Sequence, residues 1–412
     1  MWMLVWRNVW RRKGRSLITV AAVALSSAIL IFFVSLQEST YSLAIDALSR
    51  FLTGHLQVQQ RDYLDDPKLE DSFLADVSNI TRHAVGIRGA VLERLAAGVL
   101  LSSGERAFVA SIVGVEAEQE RPVSYFPRKV TKGSFLEGSD SRQIVLGEGL
   151  ARNLAADIGG EVTVLGQSSE GSLFIEPLTL SGILKTGNKE LDRSIAFVDL
   201  ETFADIFAMP DKVHSLTVVL KDSRQLPAVR ADIEREVLSQ HPGLAVRSWQ
   251  EISPEFAESI ALDRASGGIF FISLQAIVLL GLINVLSMSL AERRREHSML
   301  VAIGVRRGFL YRLMLLESLL LSGIGLIAGI ALGTLVTEYF GWRGFFIPGM
   351  EEAMSEWLIE TAVYPHIGVY SLFAGAGIFY GSAFIASFIV YLPVFRISPE
   401  LALRTSEIGG GR

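Results

Sequence analysis

Cysteine is absent from all 412 residues, and charged residues make up only 20% of the chain. Disulfides, thiolate catalysis and cysteine-ligated zinc are therefore excluded. The six histidines lack the H-E-x-x-H spacing of zinc hydrolases, and the sequence contains neither a G-x-x-x-x-G-K-[ST] phosphate loop nor a nucleophile elbow. A formal net charge of −6 argues against a nucleic-acid partner. We therefore expect a chain that is not an enzyme and binds no cofactor or metal.

Hydrophobic residues make up 50% of the chain, and the mean hydropathy is +0.38, which is high for a soluble protein of this length. Four apolar segments are long enough to cross about 30 Å of hydrocarbon, which takes roughly 20 helical residues. These segments are Ser16–Leu36, Gly267–Leu290, Leu313–Phe340 and Gly368–Leu392. The sequence thus predicts an α-helical membrane protein with four transmembrane helices and a large α+β domain inserted between the first and second.

Lysine and arginine predict the orientation, because they concentrate on the cytoplasmic side of a membrane protein. They cluster before the first span, between the second and third, and after the fourth, whereas loop 341–367 carries one arginine and four glutamates. We therefore expect a bacterial inner-membrane protein with both termini cytoplasmic and the large domain outside. A cleaved signal peptide at the first segment is the alternative, although its apolar run is long for one and no A-x-A site follows.

The layout predicts nine parts of the chain. They are a cytoplasmic amphipathic elbow (1–15), the first span with a stalk (16–40), the outer domain (41–252), a stalk with the second span (253–290), a cytoplasmic coupling region (291–312), the third span (313–340), a short outer loop (341–367), the fourth span (368–392) and a cytoplasmic tail (393–412). Neither junction of the outer domain carries a Gly/Ser or Pro run, so helical stalks are expected there.

Alternating and helical patterns predict the outer domain's elements. We expect strands at His55–Gln59 and His214–Asp222, a hairpin over Val91–Val115 that turns at Ser102–Glu105, and a helix over Gln225–Ser239. Residues Arg142–Leu165 are expected to form a strand, a glycine turn, a helix and a strand.

The short segment between the second and third spans is the main candidate for a protein contact. Its charged start should face solvent, and its apolar end should pack against another surface before Gly304 stops the helix. Glutamates among the arginines favour a docking surface, although simple topology anchors remain an alternative. The candidate contact residues are Glu292, Arg293, Arg294, Arg295, Glu296, Met299, Ala302 and Gly304.

Three further features lie in or beside the predicted spans. The amino end carries tryptophans and arginines at helical spacing, typical of a helix in the headgroup plane: Trp2, Trp6, Arg7, Trp10 and Arg11. Glycines at four-residue spacing predict close helix packing, within one subunit or between two: Gly325, Gly329, Gly333, Gly377 and Gly381. Glu317 is expected to pair with a neighbour such as Arg312 at the membrane interface.

Three stretches resemble the MacB/FtsX/LolC-type permeases of ABC transporters. LAERRREHSMLVAIGVRRGFLYRLMLLESLLLSGIGLIAG is similar to that family's coupling region, RNVWRRKGRSLITV to its amino-terminal elbow and ISPELALR to its closing element. Outside the membrane, GHLQVQQRDY and IVLGEGLARNLAADIGGEVTV resemble the family's MacB-like periplasmic core domain.

The resemblance implies a mechanotransmission permease that works as a homodimer or heterodimer on a cytoplasmic ABC ATPase dimer. ATP and Mg would be bound by that ATPase, and about fifteen residues before the first span leave no room for a fused one. The strand after the first span is closer to the lipoprotein-releasing branch, which implies lipoprotein transport and contact with membrane lipid or a periplasmic carrier or adaptor. Tripartite efflux of peptides or antibiotics, and signalling to a cell-wall hydrolase, remain alternatives.

Overall fold

A computed structural model describes residues 13–138, 142–346 and 362–396, together with positions 348, 349 and 354. It divides into two compact units. One contains Ser42–Ile260, which we call the inserted domain, and the other contains residues up to Tyr41, Ala261–Phe346 and the chain from Ala362, which we call the helical bundle. The tryptophan and arginine residues of the predicted elbow, and the tail after residue 396, lie outside the described residues.

Helices occupy both units. They are α1 Lys13–Leu48, α2 Val77–Val85, α3 Ala117–Val123, α4 Glu148–Leu154, α5 Leu191–Ser194, α6 Leu200–Phe207, α7 Leu226–Val237, α8 Trp249–Ile252, α9 Pro254–Glu292, α10 Arg294–Ala302, α11 Arg307–Arg343 and α12 Val369–Tyr391.

Strands lie in the inserted domain. They are β1 Leu56–Gln60, β2 Phe73–Leu74, β3 Gly89–Ser103, β4 Arg106–Val115, β5 Val130–Gly133, β6 Gln143–Gly147, β7 Glu161–Gln167, β8 Leu173–Leu184, β9 Ile195–Asp199, β10 Lys212–Val213, β11 Ser215–Leu220 and β12 Leu244–Ser248.

Four of the described helices, α1, α9, α11 and α12, are long and apolar enough to cross a membrane. The first three have 36, 39 and 37 residues, well beyond the roughly 20 that a bilayer requires. The inserted domain follows α1 and precedes α9 in the chain. The predicted fold class is therefore confirmed: four membrane helices, with a large domain of helices and strands between the first and second.

Six strands of the inserted domain close into a ring. β3 pairs with β4, β4 with β9, β9 with β6, β6 with β8, β8 with β7, and β7 again with β3. A closed ring leaves no free edges among its members, and apolar side chains fill its interior. Leu101, Ile112, Val164 and Leu180 there are fully buried. We call this ring the barrel lobe.

The second lobe is an antiparallel sheet in the order β12, β1, β11, β3, with α2 and α7 against it. We call it the sheet lobe. Val229, Ile233 and Val237 of α7 are spaced at helical intervals and are fully buried in its core. The 15-residue strand β3 belongs to both lobes: residues Gly89–Arg94 pair with β11, and Arg94–Ser103 pair with β4. Arg94 therefore stands at the point where one lobe passes into the other.

Most of the strands and helices predicted for this domain are confirmed. The hairpin turns between Ser103 and Arg106, and β1, β11 and α7 lie where the patterns place them. The expected glycine turn before α4 is wrong, because the helix begins at Glu148 directly after Gly147. The sequence analysis missed β8, which forms a hairpin with the preceding strand β7, and β9, which pairs with β4 from about 80 residues away.

Candidate functional site: the short helix α10 and the bundle cavity

The segment between α9 and α11 forms a short helix with a break at each end. Arg293 has φ −90° and ψ 1°, which interrupts the path from α9 into α10. After α10 the chain turns at Gly304, whose φ of +98° lies in the left-handed region that favours glycine. The helix is therefore a separate nine-residue element, joined to its neighbours by non-helical residues.

Most residues of the predicted contact set are exposed, on this element or directly beside it: Glu292, Arg294, Arg295, Glu296, Met299, Ala302 and Gly304. The apolar end of the helix is exposed in the subunit, with Met299 at 58% and Ile303 at 76%, so the packing expected of it stays a prediction. Charged and apolar groups thus share one accessible surface, a composition that suits a protein partner. His297 and Ser298 instead face inward and are buried.

Arg293 departs from the predicted role because it points into the bundle. Its guanidinium Nη1 lies 2.9 Å from the carboxylate of Glu317 on α11, and the two side chains are only 14% and 12% exposed. The expected partner Arg312 is exposed and makes no described ion pair with Glu317. The structure therefore corrects the pairing of Glu317 and removes Arg293 from the accessible surface.

Burial lowers the pKa of His297, and the nearby Arg293 guanidinium lowers it further, while Glu296 and Glu317 oppose these effects. A lowered pKa favours the neutral imidazole. The buried side of α10 therefore presents an uncharged His297 close to the ion pair between Arg293, which precedes α10, and Glu317 of α11.

A cavity of about 290 Å³ lies in the bundle between α1 and α9. Apolar side chains form most of its wall: Leu30, Val34, Phe271, Ile272 and Ile378. Polar groups lie toward the end where α1 continues into the inserted domain: Gln37, Glu38 and Arg264. The space is amphiphilic, with an apolar wall and a charged end.

Side chains of α1 and α9 are tied together at that charged end. The Tyr41 hydroxyl donates to Asp263 Oδ2 at 2.6 Å and accepts from Gln37 Nε2 at 2.7 Å. Arg264 lies 5.1 Å from the centre of the Tyr41 ring and 3.6 Å from Glu38. We call this set of contacts between α1 and α9 the polar clasp. The sequence analysis did not predict it, although the polar residues next to both apolar segments could have indicated such contacts.

The glycines of α11 are packed within one subunit. A Cβ at Gly325 would lie 2.9 Å from the carbonyl of Val20, and one at Gly329 would lie 2.7 Å from the carbonyl of Ala24. Gly333 meets Ala28 in the same way. On α12, Cβ positions at Gly377 and Gly381 have no described atom within 4 Å. The two predicted glycine sets therefore differ: one seats α11 against α1, and the other leaves an open groove on α12.

Replacing Gly329 with valine should destabilise the bundle by about 1–3 kcal/mol, because the added side chain forces α1 away from α11. Gly377→Val is the matched control and should leave the isolated subunit unchanged. Thermal unfolding of both variants in detergent measures the difference. Equal melting temperatures for the two variants would contradict the assignment of Gly329 to the α1–α11 contact.

Known protein families match these parts of the chain. The model of the MacB-like periplasmic core domain matches residues 16–236, just over half of the sequence, and the FtsX-like permease C-terminal model matches residues 268–399. The chain belongs to the MacB/FtsX/LolC-type permeases. α10 and the apolar cavity-lining residues of α9, Phe271 and Ile272, fall within the second match.

Individual relatives are distant. The permease is 24% identical over 358 residues to the lipoprotein-releasing system transmembrane protein LolC of Neisseria meningitidis, covering 85% of this chain and 82% of that protein. It is 27% identical over 252 residues to the macrolide export ATP-binding/permease protein MacB of Hyphomonas neptunium, covering 57% and 36%. The crystallised periplasmic region of MacB from Actinobacillus actinomycetemcomitans matches 50% of this chain and 92% of that domain, at 16% identity and a TM-score of 0.37.

Proposed function

We propose that this permease is the membrane subunit of a bacterial inner-membrane ABC transporter that releases lipid-anchored proteins from the outer leaflet. A separate cytoplasmic ATPase hydrolyses ATP with Mg, and this chain carries the resulting motion to its inserted domain. The single observation that carries the cargo class is the cavity between α1 and α9, which has an apolar wall and a charged end.

The chemistry of that cavity fits a lipid-anchored cargo. An acyl chain would lie against the apolar side chains of Leu30, Val34 and Phe271. This contact would be favourable because it removes apolar surface of the acyl chain and of the cavity wall from water. The polar group that joins the acyl chain to its protein would meet Glu38 and Arg264 at the other end. Similarity to a LolC protein over most of its length supports this cargo above others.

The surface of α10 supports a separate ATPase as the energy source. Exposed Met299 and Ile303 offer apolar anchors, and the surrounding glutamates and arginines offer complementary charge for one orientation of a partner. Exposed apolar positions along α9, among them Ile269, Ile272 and Ile277 at 67–72%, suit lipid or a second permease copy. We propose that two permeases, identical or paralogous, work on one ATPase dimer.

The proposal is tested with the tagged permease purified from its native membranes and reconstituted in liposomes with an acylated reporter protein. We expect an ABC ATPase to co-purify, and ATP, but not a non-hydrolysable analogue, to release the reporter. Absence of the ATPase, or a reporter that stays bound while ATP is hydrolysed, contradicts the proposal.

Efflux of an amphiphilic solute is the second candidate, because the macrolide-export relative aligns with 57% of this chain and the cavity is amphiphilic. In the same liposomes, a macrolide that stimulates ATP hydrolysis, with no release of the acylated reporter, would favour efflux.

A further inference from the structure

All four membrane helices meet at a small polar cavity of about 40 Å³ near α10. Each helix contributes a polar side chain to its wall. These are Thr19 of α1, Ser289 of α9, Glu317 and Ser318 of α11, and Tyr391 of α12, with Arg293 at the break before α10. Thr19, Ser318 and Tyr391 are each at most 5% exposed. We call this cluster the polar node.

The Arg293–Glu317 ion pair is the charged part of the node. Both charges are mostly shielded from water, so separating them would leave two poorly solvated charges inside the bundle. Ser318, the next residue after Glu317, and Tyr391 of α12 are both buried in the wall of the same cavity. A displacement of Arg293 therefore reaches α11 through the ion pair and α12 through the buried packing of α11 against α12.

The backbone on either side of α10 is not helical, so it cannot transmit such a displacement as a continuous rigid helix would. Arg293 itself occupies the non-helical position after α9, and Gly304 supplies the turn before α11. Side-chain contacts must then determine whether a push on α10 moves the bundle or only bends its two joints. The ion pair lies at the first of these joints.

On this basis, and resting on the proposed function, we propose that Arg293 and Glu317 are positioning residues that couple α10 to α11 and α12. The outward residues of α10 bind the ATPase, whereas Arg293 binds no partner and transmits the motion. Docking is thus assigned to the outward residues of α10, and transmission to the non-helical joint that precedes this helix.

The test compares Glu317→Gln, the charge exchange Arg293→Glu with Glu317→Arg, and Arg312→Gln as a control at an exposed position on α11. Three quantities are measured in the full complex: ATPase recovered per permease, reporter released per ATP hydrolysed, and the distance between spin labels at Leu300→Cys and Phe395→Cys. The chain has no native cysteine, so within it only the introduced cysteines are labelled. Both label positions are exposed, at 39% and 46%.

For Glu317→Gln we expect unchanged ATPase recovery but at least about a tenfold loss of release per ATP, a typical allosteric coupling. The label distance, narrow in the parent protein with and without ATP, should broaden in this variant. The charge exchange should restore most of both properties, and Arg312→Gln should match the parent.

Normal release by Glu317→Gln, or a loss that only follows lost ATPase, would overturn the assignment. If the Glu317→Gln permease does not accumulate in membranes, the charge-exchange variant is the deciding test. The assignment is also overturned if that variant accumulates in membranes but does not release the reporter as the parent does. A parent complex that releases no reporter counts against the proposed function alone, because the label distances still test the ion pair.

Discussion

Reversing two charges at the start of the mixed-charge segment, Glu292→Lys with Glu296→Lys, is expected to remove the ATPase from the purified permease. Both positions are exposed, and lysine there would place like charges against the part of the partner that now faces glutamates. Such juxtapositions cost several kcal/mol, so affinity should fall by more than about a hundredfold. Co-purification of the ATPase with the tagged permease measures the loss.

The opposite end of α9 offers a matched control. Glu255→Lys with Glu258→Lys makes the same change in net charge at two exposed positions of the same helix. We expect the ATPase to co-purify normally with this variant. Loss of the ATPase from the control but not from the Glu292 and Glu296 variant would reverse the predicted orientation of the whole chain.

Replacing Arg94 with methionine should produce the largest loss of stability in the inserted domain. Arg94 donates to both carboxylate oxygens of Glu120, at 2.8 and 3.1 Å, and to the carbonyl of Leu52 at 2.7 Å. The Glu120 side chain is only 1% exposed. Methionine would leave this buried carboxylate without its partner, and breaking such a pair from one side costs about 3–5 kcal/mol.

The location of Arg94 extends the effect to both lobes, because β3 passes there from the sheet lobe into the barrel lobe. Thermal unfolding of the full chain and hydrogen exchange of β3 amides measure the change. Arg142→Met is the matched control: its ion pair with Glu176 is 55% and 32% exposed, so it should cost less than about 1 kcal/mol. Similar losses for both variants would contradict a structural role specific to the Arg94 pair.

The membrane part of the fold was predictable from local composition. A bilayer demands runs of about 20 apolar residues, and each of the four runs lies in a long helix or matches one to within a residue. The hairpin of β3 and β4 was predictable for a similar reason, since its strands are adjacent in sequence and joined by a short turn. In contrast, β9 pairs with β4 from about 80 residues away, and the sequence of β9 does not indicate which strand it pairs with.

The position of the short helix α10 was predictable from the sequence, but the directions of its side chains were not. Mixed charge and Gly304 predicted a short helix between two spans, whereas the direction of each side chain depended on how α10 packs. A helical pattern indicates which residues share a face of the helix, but it does not indicate which face packs against the bundle. For that reason Arg293 was expected to be accessible, whereas its side chain is only 14% exposed.

The sequence by itself therefore determined the absence of cysteine chemistry, the number of spans, the inserted domain and the position of the mixed-charge helix. Each of these is a property of contiguous residues. Only the tertiary structure decided that Arg293 pairs with Glu317 across 24 residues, that Arg94 pairs with Glu120 across 26, and that residues of α1, α9 and α12 line one cavity. These features depend on which surfaces meet in space, because buried charges and cavities are created by packing rather than by local sequence.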